Sequence, residues 1–351
     1  MVKKVMIYGA YGYTGKLITE HVVENGLKPI IAGRNEEKTS TLAKKYQLDF
    51  KVFSLDDPSI LVEALEDIYI LLNAAGPYSK TAEPLVNASI ASKTHYLDIT
   101  GEIEVFEWIA AKNEQAKKAG IILLPGCGFD VVPTDCLAAM LKTKMPEATN
   151  LNLAFMSGGA SSRGTTLTML ENLHKGGKVR ENGKLTNVPL AYDTRYIMLN
   201  RKKTLAVTIP WGDVSTAYFS TGIPNIKVFM AVDKKMLMAI KLMNYLKWLF
   251  GSPIIQKYLA RQIKAKMTGP DPNLSKNRKS YLWGEIKSNT KETLELFLET
   301  PEGYQLTAKT SVLIIKKILE ENIQSGFLTP SKAFGEKFIL EIPGTSLNEK
   351  Y

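Results

Sequence analysis

Short apolar runs alternate with longer polar or amphipathic stretches through the first third of the chain. Strand signals fall at 4–8, 29–32, 50–53, 68–74, 95–99 and 121–124. Helix signals lie between them, at 14–25, 36–45, 58–65, 81–92 and 103–119. Strands and helices alternating at these lengths predict an α/β fold with a doubly wound parallel sheet. No internal repeat or low-complexity segment interrupts the chain.

The stretch GAYGYTGKL at 9–17 joins the first strand signal to the first helix signal. Its glycines stand three apart, at Gly9, Gly12 and Gly15, a variant of the G-x-G-x-x-G dinucleotide loop in the setting that loop requires. Gly9 would permit the tight turn, Gly12 the close approach of a pyrophosphate, and Gly15 close packing of helix on strand. N–H groups at the helix start, at the positive end of its dipole, would hold the anion. A turn that is glycine-rich for packing alone is the plainer reading. The next strand shifts the balance, because it ends in Gly33-Arg34-Asn35 with no carboxylate at its tip for a ribose 2′-hydroxyl. Arg34 offers a forked, charge-assisted contact to a 2′-phosphate. The expected cofactor is NADP, with Gly9, Tyr11, Gly12, Tyr13, Thr14, Gly15, Arg34 and Asn35 as its candidate site.

In a doubly wound sheet, ligands sit beyond the carboxyl ends of the strands. Three strand ends carry polar or glycine-rich sequence: NAAGPYSK at 73–80, YLDITGE at 96–102 and PGCGFDVVPTD at 125–135. Ala75 and Gly76 are small enough to let backbone approach the cofactor. Tyr78, Asp98, Glu102, Cys127, Asp130 and Asp135 are the candidate polar groups, and Tyr78, Asp98 and Asp130 the candidate catalytic set. Turn chemistry and helix capping explain any one of these residues; the cluster argues for function.

Composition narrows the class. Hydrophobic residues make up 45% of the 351, enough for one large core or two moderate ones. Cys127 and Cys136, and His21, His95 and His174, lack metal-ligand spacing, so no metal site and no disulfide framework is expected. The chain starts on a strand without a signal-peptide pattern, which makes the cytoplasm the expected location. Residues 1–150 carry 16 Lys+Arg against 19 Asp+Glu, and residues 151–351 carry 29 against 16. Within 227–291 there are 14 basic and 3 acidic residues. No aromatic platform or recognised module accompanies these charges, so no nucleic-acid partner is expected.

Part of that basic segment, 234–266, has Leu237, Ile240, Met243, Leu246 and Phe250 at helical spacing, with Lys241, Lys247 and Lys257 between them. Lys241, Asn244 and Lys247 interrupt every window long enough to span a bilayer. The segment reads as a domain helix packed on a sheet, as a basic amphipathic surface for peripheral membrane contact or a hydrophobic substrate, or as the interface of a homodimer.

The chain resembles the saccharopine dehydrogenase-like oxidoreductases, in the branch that includes trans-acting enoyl reductases. The resemblance is carried by GAYGYTGKL, AGRN, NAAGPYSKTAEPLV, THYLDITGE, PGCGFDVVPTDCLA, SSRGTT, PWGDVSTAYFSTGIPNI, TPEGYQLTA and LTPSKAFG, which run from residue 9 to residue 335. It departs at Ala10-Tyr11, where relatives often have Ala-Thr. The resemblance implies an N-terminal NADP-binding Rossmann domain (1–148), a second α/β domain on a mostly antiparallel sheet (149–325), and a final segment (326–351) that returns to the first domain. It implies an NADP-dependent oxidoreductase acting on a small molecule. An unsaturated acyl or lipid-like substrate would need a proton donor, for which Tyr78 and Tyr96 are candidates. An amino-acid-derived imine would instead need convergent cations, for which Arg163, Arg180, Arg195 and Arg201 are available. A non-catalytic NADP-binding scaffold on membranes is the third reading.

Overall fold

The computed structural model describes residues 3–157, 162–266 and 278–349. Ser161, the first residue of the SSRGTT stretch, lies outside the described residues, as does the side chain of Lys247. Two compact units divide the chain. One holds Met1–Val132 with Tyr304–Ala333, the other Pro133–Gly303 with Phe334–Tyr351.

In the first unit the apolar runs are strands: Val5–Tyr8 (β1), Ile30–Gly33 (β2), Phe50–Val52 (β3), Ile70–Asn73 (β4), His95–Asp98 (β5) and Ile122–Leu124 (β6). They pair in parallel in the order β6-β5-β4-β1-β2-β3. The strand order reverses between β1 and β4, the position where doubly wound sheets open for a ligand. Every residue of β1, β2 and β4 is buried, as expected for parallel strands covered on both faces. Residues such as Ile7, Ile31 and Leu71 are fully inaccessible, and each such side chain stabilises the fold by roughly 1.5–3 kcal/mol.

The connecting helices are Tyr13–Glu24 (α1), Glu36–Tyr46 (α2), Pro58–Leu65 (α3), Tyr78–Ser92 (α4), Ile103–Ala110 (α5) and Asn113–Ala119 (α6). Asn35 caps α2 through Lys38 N–H, and Asp57 caps α3 ahead of a proline at its first turn. Two elements differ from the sequence expectation. α4 begins at Tyr78 rather than at 81, because a remote carboxylate holds its first N–H groups. The helix expected over 103–119 breaks into α5 and α6. At the break, the Asn113 side-chain oxygen accepts the Phe327 N–H at 2.9 Å.

The second unit continues with Val132–Lys144 (α7), Asn150–Met156 (β7), Arg163–Asn172 (α8), Gly177–Glu181 (β8), Lys184–Val188 (β9), Thr194–Leu199 (β10) and Lys202–Thr208 (β11). Asp213–Thr221 (α9), Asn225–Ala231 (β12), Lys234–Phe250 (α10), Pro253–Lys266 (α11), Lys279–Lys287 (β13) and Thr293–Pro301 (β14) follow. The main path of the second sheet runs β10-β11-β12-β7-β13-β14. Only the β12–β7 pairing is parallel; the rest are antiparallel, the mixed sheet that the resemblance implied. Trp283, Phe229, Ala154 and Ile197 form a core on it. α7 packs close to β13: a Cβ on Gly284 would lie 2.6 Å from the Leu141 side chain.

After β14 the chain re-enters the first unit along Gly303–Glu320 (α12), adds Gly326–Phe327 (β15) in parallel beside β6, and continues into Pro330–Phe334 (α13). It then rejoins the second unit, where Ser346–Asn348 (β16) pairs with β14. The last segment was expected to return to the first domain. Tyr304–Ala333 groups with the first unit and Phe334 onward with the second, where Ser346–Asn348 pairs with β14. Among the described residues no helix is long and apolar enough to cross a membrane.

Candidate cofactor and active site

The three glycines of the first loop do three different things. Gly9 adopts φ +80°, donates its N–H to the Ala32 carbonyl at 2.8 Å, and would place a Cβ 2.7 Å from that of Ala75. The turn and the β4 end are therefore in backbone contact, and only glycine fits. A Cβ on Gly15 would lie 2.4 Å from the Gly9 carbonyl oxygen and 2.9 Å from Ala10 Cα, so Gly15 is where α1 packs against the loop. A Cβ on Gly12 would meet only the Gly9 carbonyl oxygen, at 3.2 Å, among the described residues. Gly12 is also the N-cap of α1 and offers no side-chain acceptor there. This opening at the start of a helix fits a pyrophosphate. Tyr13 packs edge-on against Tyr304 of α12 at 5.0 Å; Thr14 is half-buried beside it.

The tip of β2 gathers the groups that would face an adenosine ribose. The Tyr11 ring covers Gly33, whose Cβ would lie 2.5 Å from it. Arg34 is exposed and has no hydrogen bond or ion pair among the described residues. The Tyr8 hydroxyl is pushed up to about 12, by burial first and by Tyr11 next, while Arg34 pulls it down. Those effects bring Tyr8, Tyr11 and Arg34 into one neighbourhood. Asp56 acts on the same hydroxyl. Sequence reasoning missed this carboxylate, which lies in the loop after β3; the pairing of β2 with β3 brings that loop to the β2 tip. The Asn35 side-chain oxygen is engaged as the cap of α2, at 2.9 Å from Lys38 N.

Beyond β4 and β5, five of the six polar candidates come together. Tyr78 opens α4 and is half-buried. Burial first, then the charges of Asp98, Glu102, Asp130 and Cys127, holds its phenol well above the ordinary value. Glu102 points both carboxylate oxygens at the start of α4, accepting from Tyr78 N at 2.8 Å and Ser79 N at 3.0 Å. Asp98 is fully buried. Its oxygens accept from Thr100 N, Gly126 N and the Tyr96 hydroxyl, all at 2.9–3.0 Å, and burial still pushes its carboxyl up to about 7. Asp98 thereby ties the β5 end to the β6 end.

Asp130 differs from Asp98. It is half-buried, lies against Gly101, and has no hydrogen bond or ion pair among the described residues. Burial raises its carboxyl to about 7.

Cys127 and Tyr96 are committed within this cluster, and Asp135 lies in the second unit. Cys127 is buried, donates its thiol to the Leu124 carbonyl, and is pushed up by burial, which makes it a poor nucleophile. Tyr96 is fully inaccessible, its hydroxyl held between Asn73 and Asp98, so it cannot reach a substrate. Asp135 sits in the second unit and accepts from Ser220 of α9.

Two of the four arginines are engaged by other groups among the described residues. Arg180 is buried and donates to the Val214 and Gly183 carbonyls. Arg195 forms a forked pair with Glu285 at 2.9 and 3.0 Å over the Trp283 ring. Arg163 starts α8, and Arg201 sits at the β10–β11 turn with φ +57°.

Residues 5–124 match the saccharopine dehydrogenase NADP binding domain. Parts of the chain are similar to saccharopine dehydrogenase-like oxidoreductases and trans-acting enoyl reductases. It is 27% identical over 161 residues to the human saccharopine dehydrogenase-like oxidoreductase, covering 40% of this chain and 38% of that protein. Against the trans-acting enoyl reductase of Mycobacterium ulcerans it is 28% identical over 208 residues, 54% of this chain and 49% of that one. A lipid droplet localized protein of Caenorhabditis elegans is 29% identical over 189 residues, 48% of this chain and 44% of the relative. In each case the match spans less than half of the relative's length. The fold over the whole chain is that of apo saccharopine dehydrogenase (L-Glu forming) from Saccharomyces cerevisiae, with a TM-score of 0.64, 14% identity and full coverage of both chains.

Proposed function

We propose that the protein is an NADP-dependent oxidoreductase that reduces the carbon–carbon double bond of an acyl or lipid-like small molecule. One observation carries the reading. Asp130 holds an unpartnered carboxyl at about 7 in the strand-end cluster that also contains Tyr78. The name of the mycobacterial relative, an enoyl reductase, supports the substrate class.

When bound, the nicotinamide supplies a hydride. Saturating a double bond also consumes a proton, and a carboxyl titrating near neutral pH is well matched to deliver one. The Tyr78 phenol, held well above its ordinary value, keeps its proton and donates a hydrogen bond to the substrate carbonyl as charge grows there. Glu102 sets the start of α4, and so the position of Tyr78. Asp98 is a positioning residue that fixes the loops before Thr100 and Gly126. The choice of NADP over NAD rests on Arg34. Gly9, Tyr11, Gly12, Tyr13, Thr14, Gly15 and Asn35 would line the cofactor site with Ala75 and Gly76 alongside.

An imine substrate derived from an amino acid has less support, because Arg180 and Arg195 are committed within the second unit. Turnover separates all three readings. With α,β-unsaturated acyl thioesters, Asp130→Asn and Tyr78→Phe should each lower kcat by about 10²-fold, the lower range for proton-transfer assistance, with NADPH affinity unchanged. NADPH consumption with imines alone would select the imine reading. Binding of NADPH without oxidation by any thioester, imine or ketone would leave the non-catalytic scaffold.

A further inference from the structure

Helix α10 carries apolar residues both toward the fold and toward solvent. Leu237 and Ile240 pack against the cluster of Ala191, Val207 and Val232. Others are turned to solvent: Met238, Leu242 and Tyr245, spaced i, i+4, i+7, are exposed, and Trp248 joins them one turn on. Tyr245 and Trp248 are 79% and 72% exposed, far above what a packed aromatic shows. α11 repeats the pattern with Ile254 and Tyr258, 79% and 62% exposed. Exposed apolar side chains grouped on two consecutive helices point to an interaction site.

Charge identifies the partner. Residues 234–266 contain eight Lys and Arg and no Asp or Glu. Lys234, Lys235, Lys241, Lys257 and Arg261 are exposed, and none has an ion-pair partner among the described residues. A two-fold contact between copies of this face would set cations against cations. Nucleic acid would use the cations and the rings but has no use for Met238, Leu242 and Ile254. An anionic bilayer uses all three classes. Phosphates meet the cations, Trp and Tyr settle at the headgroup level, and the aliphatic chains enter the acyl boundary.

We propose that the solvent face of α10 and α11 docks on an anionic lipid membrane, lying in the interface without crossing it. This surface is independent of the cofactor and strand-end residues, so its test does not depend on turnover.

The full chain is floated with phosphatidylcholine vesicles, with and without phosphatidylserine. Retention should rise several-fold with phosphatidylserine and fall at high salt. Leu242→Ser with Trp248→Ser should abolish it, as should Lys234→Glu with Lys241→Glu. Both pairs are at exposed positions, so the thermal midpoint should stay that of the unaltered protein. No retention of the unaltered chain on phosphatidylserine vesicles overturns the proposal, as does retention of either variant at the level of the unaltered chain. It is also overturned if vesicles are ignored while the unaltered chain dimerises through this face or binds single-stranded oligonucleotides there.

Discussion

Glu102 accepts the backbone N–H of Tyr78 at 2.8 Å across 24 residues of sequence. With Ser79 N–H on its other oxygen, this one carboxylate acts as the N-terminal cap of α4 while itself standing at the N-cap position of α5. Replacing it by alanine leaves two N–H groups without that acceptor. Glu102→Ala should destabilise the protein by about 2 kcal/mol, in the range for a lost cap with a charged acceptor. Glu102→Gln keeps one acceptor oxygen and should lose less. Urea unfolding reads the difference; equal stability of all three proteins would remove the cap from the account.

The glycine loop separates binding from folding. Gly12→Val should abolish NADPH binding, followed by cofactor fluorescence, with little change in the ligand-free thermal midpoint, since its Cβ meets only one protein atom at 3.2 Å. Gly15→Val should do the reverse in order of severity. Its Cβ would lie 2.4 Å from a backbone oxygen, so the fold itself should suffer. Matching thermal losses in the two variants would mean that Gly12 serves packing alone.

Among the described residues, Arg34 has no hydrogen bond or ion pair to satisfy its guanidinium. NADPH should bind at least about tenfold more tightly than NADH, a difference of about 1.4 kcal/mol, and Arg34→Ala should erase the preference. Asp56 stands in the same neighbourhood. Its negative charge opposes a 2′-phosphate, so Asp56→Ala should widen the NADPH preference. Equal affinity of the unaltered protein for both cofactors would refute the reading of the β2 tip.

Asp98 and Asp130 each have a carboxyl raised from 3.8 to about 7. For a raised acid, the stability contribution is fully present below the unfolded value and is lost as pH rises through the folded one. Both groups therefore weaken the fold as pH climbs from about 4 to about 7. His95, pushed down from 6.5 to about 4 by burial, runs the other way: its contribution is present above 6.5 and lost as pH falls to 4. Asp130→Asn removes one carboxyl and leaves His95 and Asp98 in place. The difference in stability slope between this variant and the unaltered protein, from urea midpoints across pH 4–7, should approach one proton, or about 1.4 kcal/mol per pH unit. Parallel slopes would mean that Asp130 titrates as an ordinary carboxylate.

What sequence alone determined is what acts over a few neighbouring residues. The glycine spacing could be assigned roles one residue at a time, because a turn, a close approach and a helix–strand contact are local steric demands. The strand and helix alternation of the first unit was legible for the same reason: periodicity and caps such as Asn35 and Asp57 are written within one or two turns. The helical spacing of Leu237 and Ile240 was legible too, but the sequence left three readings of that segment open, and packing on Ala191, Val207 and Val232 is a fact of the fold. Partner choice is different in kind. That Arg180 and Arg195 would be taken up by carbonyls and by Glu285, that Tyr96 would be sealed behind Asn73 and Asp98, and that Phe334 onward would leave the first unit to pair with β14, all depend on which groups the fold brings together. A carboxyl such as Asp130 looks like any other Asp in sequence. Only burial without a hydrogen-bond partner sets its affinity for a proton, and burial is a property of the packed chain.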